Sequence, residues 1–408
     1  MKKNILGFIL SFCSLAVVAQ QGGMVDPQME MDMVYLASDY LEGRETGKAG
    51  EAKAAAYIIR RFEQIGLSPK GVDGSWVQPF SFTYQPNPHA GKKMSVNGKN
   101  VVGFIDNGAA TTVVIGAHYD HVGMGNFGSR HSGGPAIHNG ADDNASGVTA
   151  LLYLAEQLKG STLKNNNYLF IAFSGEEFGL FGSKHFVDEP TIDLGSVNYM
   201  FNMDMVGRMS EDKQLVVNGA GTSPVWKQEL NAIKSGGIKV TTTDSGVGPS
   251  DHTSFYKKDI PVLHFFTGQN KDYHTPEDDA RFINFAGMQL VSDFMLELME
   301  RLDDDGKIAF SKTKEETGSR RAAKYKVTLG IMPDYSSDAG GLRIDAVLDD
   351  RPAAVAGMED GDIITKMGDF DVKDIYGYME ALSKFKKGDR TIVVVRRGKE
   401  LIEKIVEF

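Results

Sequence analysis

Five short segments of this chain carry side chains able to hold a metal ion, and each follows an apolar run or opens a helical one. "VVIGAHYDHVG" holds His118 and Asp120, and "NGADDNASG" holds Asp142 and Asp143. "FSGEEFG" holds Glu176 and Glu177, "FNMDMVGR" holds Asp204, and "YHTPEDD" holds His274. Read singly, Asp142-Asp143 suits a helix cap and Glu176-Glu177 suits the dipole at a helix start. Read together, His118, Asp142, Glu177, Asp204 and His274 make two imidazoles and three carboxylates. One ion does not need five such donors; two divalent ions about 3.5–4 Å apart do, with one carboxylate bridging them. The mixed nitrogen and oxygen set suits zinc and would also admit manganese or cobalt. Successive residues on an extended segment face opposite sides. One glutamate of the pair can therefore ligate while the other takes a proton from an attacking water, whose pKa two such ions lower towards ~7. The chemistry indicated is metal-assisted amide hydrolysis. Asp120, two residues past His118, is placed to orient that imidazole, as ligating histidines usually require.

These residues must be brought together by the elements that carry them. "NVVGFI", "TTVVIGAH", "NYLFIAF", "VNYMFNMDMVG" and "IPVLHFF" read as strands. Between them lie helical patterns, among them "GVTALLYLAEQL", "SPVWKQELNAIK" and "INFAGMQLVSDFMLELMERL". Ahead of them, Ala54, Tyr57, Ile58, Arg61, Phe62 and Ile65 recur at helical spacing before Gly66, a natural stop. Strands that are apolar throughout and alternate with helices indicate an α/β sheet covered on both faces. In such sheets, ligands bind beyond the carboxyl ends of the strands, which is where the five segments fall.

The chain has 408 residues and a formal charge of -10, which argues against a nucleic-acid partner. Lys2 and Lys3 precede an apolar run from Ile5 to Val18, shorter than the ~20 residues that span a bilayer. Residues 1–19 read as a secretory signal peptide, with export to the periplasm or beyond the cell and no membrane association after cleavage. Cys13 is the single cysteine, so the mature chain would lack disulfides and a cysteine nucleophile. There is no G-x-S-x-G elbow for a serine hydrolase. Residues 303–323 are polar and read as a linker. From about Tyr325 to Phe408 the pattern becomes short strands with one helix, "DIYGYMEALSKF".

The stretch from about 30 to 302 resembles the secreted di-zinc aminopeptidases of the bacterial leucyl aminopeptidase type, relatives of glutamate carboxypeptidases and glutaminyl cyclases. "ASDYLEGRETGKAG", "GAHYDHVG", "NGADDNASG", "FSGEEFGLFGS", "NMDMVGR", "SDHTSFY" and "YHTPEDD" occur in that family's order. The resemblance implies a mixed, mostly parallel sheet sandwiched by helices, in a peptidase domain over 24–302. It implies that His118 and Asp204 hold one zinc, Glu177 and His274 the other, and Asp142 both. It further implies Glu176 as general base and acid, Asp120 as support for His118, and a cis peptide at Asp142-Asp143. His121, His131, His138, His185 and His264 read as structural or pocket-lining.

The segment 325–408 resembles a PDZ domain. Leu329-Gly330-Ile331-Met332 stands at the carboxylate-binding loop, and Pro352-Ala353, Gly357 and Gly361-Asp362 follow its pattern. Such domains add an extended peptide to a sheet edge, so a C-terminal peptide ligand is an expected partner beside peptide substrates. The function expected is removal of N-terminal residues from peptides. A carboxypeptidase or a glutaminyl cyclase-like enzyme on the same scaffold stands as an alternative, as does a non-catalytic binding protein built on the PDZ unit.

Overall fold

The structure, a computed structural model, describes residues 25–84, 93–131, 133–313, 327–333, 340–347, 351–373 and 375–408. The expected leader over 1–19, with Cys13, lies outside these residues, as do 314–323 of the expected linker. Among the described residues the larger sheet has nine strands. They are β1 (Ser68–Pro69), β2 (Val77–Tyr84), β3 (Met94–Ile105), β4 (Thr111–His118), β5 (Asn166–Phe173), β6 (Val197–Met203), β7 (Gln214–Asn218), β8 (Lys239–Thr243) and β9 (Val262–Phe266). Their order is β1-β3-β5-β4-β6-β9-β7-β8, with β2 paired to β3. The central strands β5, β4, β6 and β9 run parallel, while β3 and β7 join antiparallel.

The unbroken apolar run of each central strand reflects burial on two faces. Tyr168, Phe170 and Ala172 of β5 and Val113, Ile115 and Ala117 of β4 enter one core. That core is closed by α1 (Pro27–Leu36), α2 (Ala49–Ile65), α3 (Gly147–Gly160) and α7 (Phe285–Leu302). Leu169, Ile171 and Phe173 of β5 and Val114 of β4 enter the opposite core with Phe186 and Phe255, from α4 (Phe181–Asp188) and α6 (His252–Tyr256). Each large apolar side chain removed from water contributes about 1.5–3 kcal/mol, so the register that fixes these alternations is strongly specified. Helix α2 ends where its sequence demands: Gly66 adopts φ 83° and its N–H closes onto Phe62 and Glu63. The remaining helix of this body is α5 (Trp226–Ala232).

The polar stretch after α7 does not begin as a free spacer. Ile308 is buried in the main core, its N–H bonds Asn198 Oδ1 at 2.8 Å, and Thr313 N donates to the Tyr256 hydroxyl at 3.0 Å. Residues 307–313 are thus strapped to the α/β body. Beyond it stands a small antiparallel sheet: β10 (Ile331–Pro333), β11 (Leu342–Val347), β12 (Ile363–Met367), β13 (Phe370–Asp371), β14 (Arg390–Arg397) and β15 (Glu400–Glu407). With α8 (Pro352–Val355) and α9 (Ile375–Leu382) it encloses a core of its own, including Leu329, Ile344, Ile364 and Val393. No helix among the described residues is long and apolar enough to cross a membrane.

Candidate metal centre

Because β4, β5, β6 and β9 are parallel, their carboxyl ends share one rim of the sheet. His118 is the last residue of β4. Beyond β5 the chain turns at Gly175, φ 71°, into Glu176 and Glu177. Asp204 follows β6 directly, its N–H bonded to Phe265 of β9 at 3.2 Å. His274 lies on the segment after β9, and Asp143 lies in the irregular turn Ala141–Ser146 that opens α3.

The side chains converge. His118 Nε2 lies 3.4 Å from Asp143 Oδ1, 3.5 Å from Asp204 Oδ1 and 4.0 Å from Glu176 Oε2. His274 Nε2 lies 3.0 Å from Asp143 Oδ2 and 3.1 Å from Glu177 Oε2. His121 Nδ1 lies 2.7 Å from Glu177 Oε1. Two groups of possible ligands result, His118/Asp143/Asp204 and His121/Asp143/Glu177/His274, with Asp143 common to both.

Of the residues expected from sequence, the structure therefore brings together His118, Glu176, Glu177, Asp204 and His274. Asp142 is not with them, and that expectation is corrected by one residue. The Asp142 carboxylate is turned away, accepting from Gly207 N at 2.8 Å and Asn270 Nδ2 at 2.8 Å. Asp143 takes the central place because the turn at 141–146 does not alternate like a strand. The cis peptide shifts by the same one residue, to Asp143-Asn144. Asp120 stands beside His118, with one carboxylate oxygen 3.7 Å from His118 Nδ1. His118 Nδ1 meets the Asp120 main-chain carbonyl at 3.2 Å. The Asp120 carboxylate also accepts from Thr46 Oγ1 at 2.9 Å and from the amides of Glu176 and Glu177 at 3.2 and 3.4 Å.

Three supporting residues were not singled out in the sequence. Asp278, fully buried, accepts from the amides of both Asp142 and Asp143 at 3.0–3.1 Å. His121, set apart with the structural histidines, touches Glu177. Arg44 is 1% exposed and gives its guanidinium to four main-chain carbonyls, Leu36, Tyr119, Asn139 and Gly140, at 2.6–2.9 Å. It thereby pins both ends of the 119–140 loop. Burial pulls its pKa down to about 10, against the nearby Asp143 and Asp278.

The donor set fits divalent cations. Four carboxylates crowd the cluster, and His118 Nε2 and His274 Nε2 are buried without a hydrogen-bond partner, a costly arrangement unless a ligand meets them. Burial works to lower the His274 pKa, but Glu177 and Asp143 outweigh it and lift it to about 11. Burial likewise opposes ionisation of Glu177, yet His274 draws it down to about 2. These are the signs of a negatively charged hollow that favours positive charge.

Fold and donor set together define an α/β body with a candidate two-part metal centre at the carboxyl rim of its sheet. Residues 100–299 match the profile described as Peptidase family M28, and they lie within this α/β body. Aminopeptidase YwaD of Bacillus subtilis (strain 168) is 33% identical over 195 residues, covering 45% of this chain and 39% of that protein. Leucine aminopeptidase 2 of Trichophyton rubrum is 28% identical over 272 residues, 60% of this chain and 52% of that one. The chain thus spans about half or less of the length of these curated relatives. Among solved structures, BSAP, a zinc aminopeptidase from Bacillus subtilis, superposes with a TM-score of 0.53 at 20% identity, covering 72% of this chain and 97% of that one. Porphyromonas gingivalis glutaminyl cyclase superposes with a TM-score of 0.55 at 17% identity, covering 67% and 97%. Both share the fold.

Proposed function

We propose that the protein is an exported two-zinc aminopeptidase. The observation that carries this reading is the Asp143 carboxylate, which turns one oxygen to His118 and the other to His274. His118 and Asp204 would hold one ion, Glu177 and His274 the other, and Asp143 both; manganese or cobalt would fit the same donors. Bound there, the ions would polarise the scissile carbonyl and acidify the attacking water.

The chain's own residues supply the rest. Glu176 lies at the edge of the cluster, its side chain 11% exposed, where it can reach both water and substrate. It takes the water's proton and returns it to the departing amine, as one carboxyl can in general acid–base catalysis. Burial lifts its pKa well above the usual carboxylate range, His118 opposing and Glu177, Asp204 and Asp251 adding to the rise. A carboxyl so placed can keep the proton between the two steps. Asp120 holds the Glu176 and Glu177 amides, and so aims both side chains.

The C-terminal sheet, assigned to 325–408, is read as a PDZ-type peptide-binding unit. Its strand β10 stands at the sheet edge just after Gly330, which adopts φ 73°, and an extended peptide could add there. Export rests on the basic and apolar pattern of residues 1–19.

The test is hydrolysis of one short peptide in three forms: free, blocked at the N-terminus and blocked at the C-terminus. Cleavage of all but the N-terminally blocked form, abolished by chelation and by Glu176→Gln with metal retained, is the expected result. Survival of only the C-terminally blocked form would reverse the polarity. Full turnover by a folded, metal-loaded Glu176→Gln protein would remove the mechanism.

A further inference from the structure

Besides the five ligands and the base proposed above, His121 also reaches the cluster. His121 is fully buried, and its Nδ1 lies 2.7 Å from Glu177 Oε1. The ring is wedged in place. The main-chain N–H of His121 bonds the Arg44 carbonyl at 3.2 Å, and the ring stands edge-on to the His274 ring, centroids 5.4 Å apart at 79°. On its other side is Gly140, at φ 55°, where a Cβ would come within 2.5 Å of His121 Cδ2. Only a residue without a side chain leaves room for the imidazole there.

The remaining ring nitrogen, Nε2, is buried and has no hydrogen-bond partner. Nδ1 is therefore the one ring nitrogen with a partner, and with its proton there the ring donates to Glu177 Oε1. Glu177 then has its two oxygens divided: Oε1 accepts from His121, and Oε2 faces His274 Nε2 at 3.1 Å.

We infer that His121 is a positioning residue that fixes Glu177 as a one-oxygen ligand, holding Oε1 so that only Oε2 is offered to the ion beside His274. This rests on the two-metal reading. Partners of ligating groups typically change metal affinity by roughly 10–100-fold when removed. The effect belongs to one of the two ions, because Glu177 approaches His274 and not His118.

The experiment uses the full chain, stripped of metal and titrated with zinc against a chromophoric chelator, with bound zinc counted per chain. Wild type should take two ions. His121→Ala should weaken one of them about 10–100-fold and leave the other unchanged. His121→Asn, whose amide N–H falls near the Nδ1 position, should recover most of that loss. His121→Gln, which carries its amide out towards Nε2, should not. The Asn and Gln pair decides the matter even if the alanine variant fails to fold. Equal affinity at both sites in His121→Ala, or Asn and Gln variants alike, would overturn the inference and leave the two-metal reading standing. Fewer than two ions in wild type would overturn the two-metal reading itself.

Discussion

Two acidic dipeptides meet at the rim of the sheet, Asp142-Asp143 and Glu176-Glu177, and they are held in the same way. In each, a buried aspartate from a distant segment accepts both backbone amides: Asp278 for the first pair and Asp120 for the second. They differ in how the side chains are used. In the glutamate pair both carboxylates face the cluster, Glu177 towards His274 and Glu176 towards His118. In the aspartate pair only Asp143 does, while Asp142 is occupied by Gly207 N and Asn270 Nδ2. Adjacent acids of like charge are costly to bury together, and the two pairs answer that cost differently. One sends a member into the fold, and the other keeps both members at the cluster for separate tasks.

If this division is right, Glu176→Gln breaks the glutamate pair most severely. Turnover should fall by about 10²–10⁴-fold, the usual contribution of a general acid–base, with two metals still bound. Metal analysis beside steady-state kinetics checks both halves. The aspartate pair is tested by setting Asp143→Asn against Asp142→Asn. Asp143→Asn should weaken metal binding by more than the roughly 10–100-fold typical of a supporting residue, since both ions lose a donor. Asp142→Asn should keep its metals and lose about 1–3 kcal/mol of stability, the cost of disturbing a buried acceptor. The opposite ranking in a zinc titration would return Asp142 to the bridging role. Asp278→Asn and Asp120→Asn come next. Each should cost about 10–100-fold in metal affinity or activity, with Asp120→Asn falling more on turnover because it holds Glu176.

The sequence displayed the α/β body plainly, because strands buried on both faces carry unbroken apolar runs. Parallel pairing of β4, β5, β6 and β9 then made convergence of His118, Glu176, Glu177, Asp204 and His274 legible without coordinates. What it could not display was local. Whether Asp142 or Asp143 faces the metals depends on the dihedrals of a six-residue turn, and two acids side by side look alike on paper. Strand alternation put the Asp120 carboxylate beside His118, and it lies 3.7 Å from His118 Nδ1; what spacing could not display is that the same carboxylate also takes the amides of 176 and 177. Asp278 and His121 act through main chain or through another ligand, and no spacing rule marks such residues. The strap at 307–313 was hidden by its polar composition, since Ile308 and Phe310 are the few apolar anchors in it.

A further acid extends the comparison to the smallest effect. Asp251 is fully buried near the cluster, yet neither of its oxygens has a hydrogen-bond partner, in contrast to Asp120 and Asp278 with their paired amides. Burial lifts its pKa from 3.8 to about 7, His118 working against the rise. A carboxyl raised on folding stabilises the native state fully below its unfolded pKa, and that contribution is lost as pH climbs through the folded value. In the metal-free protein, Asp251 should therefore cost stability progressively between about pH 4 and pH 7. Glu176 and Asp142, also raised by burial, act in the same direction, while Glu177 and Asp143, drawn down, act in the opposite one. The contribution of Asp251 is isolated by comparing Tm against pH for the chelated wild type and Asp251→Asn. The variant should lose less stability than wild type from pH 4 to pH 7. Parallel curves would mean that Asp251 is already ionised at low pH, and that an acid without amide donors is no worse placed at this rim than one that has them.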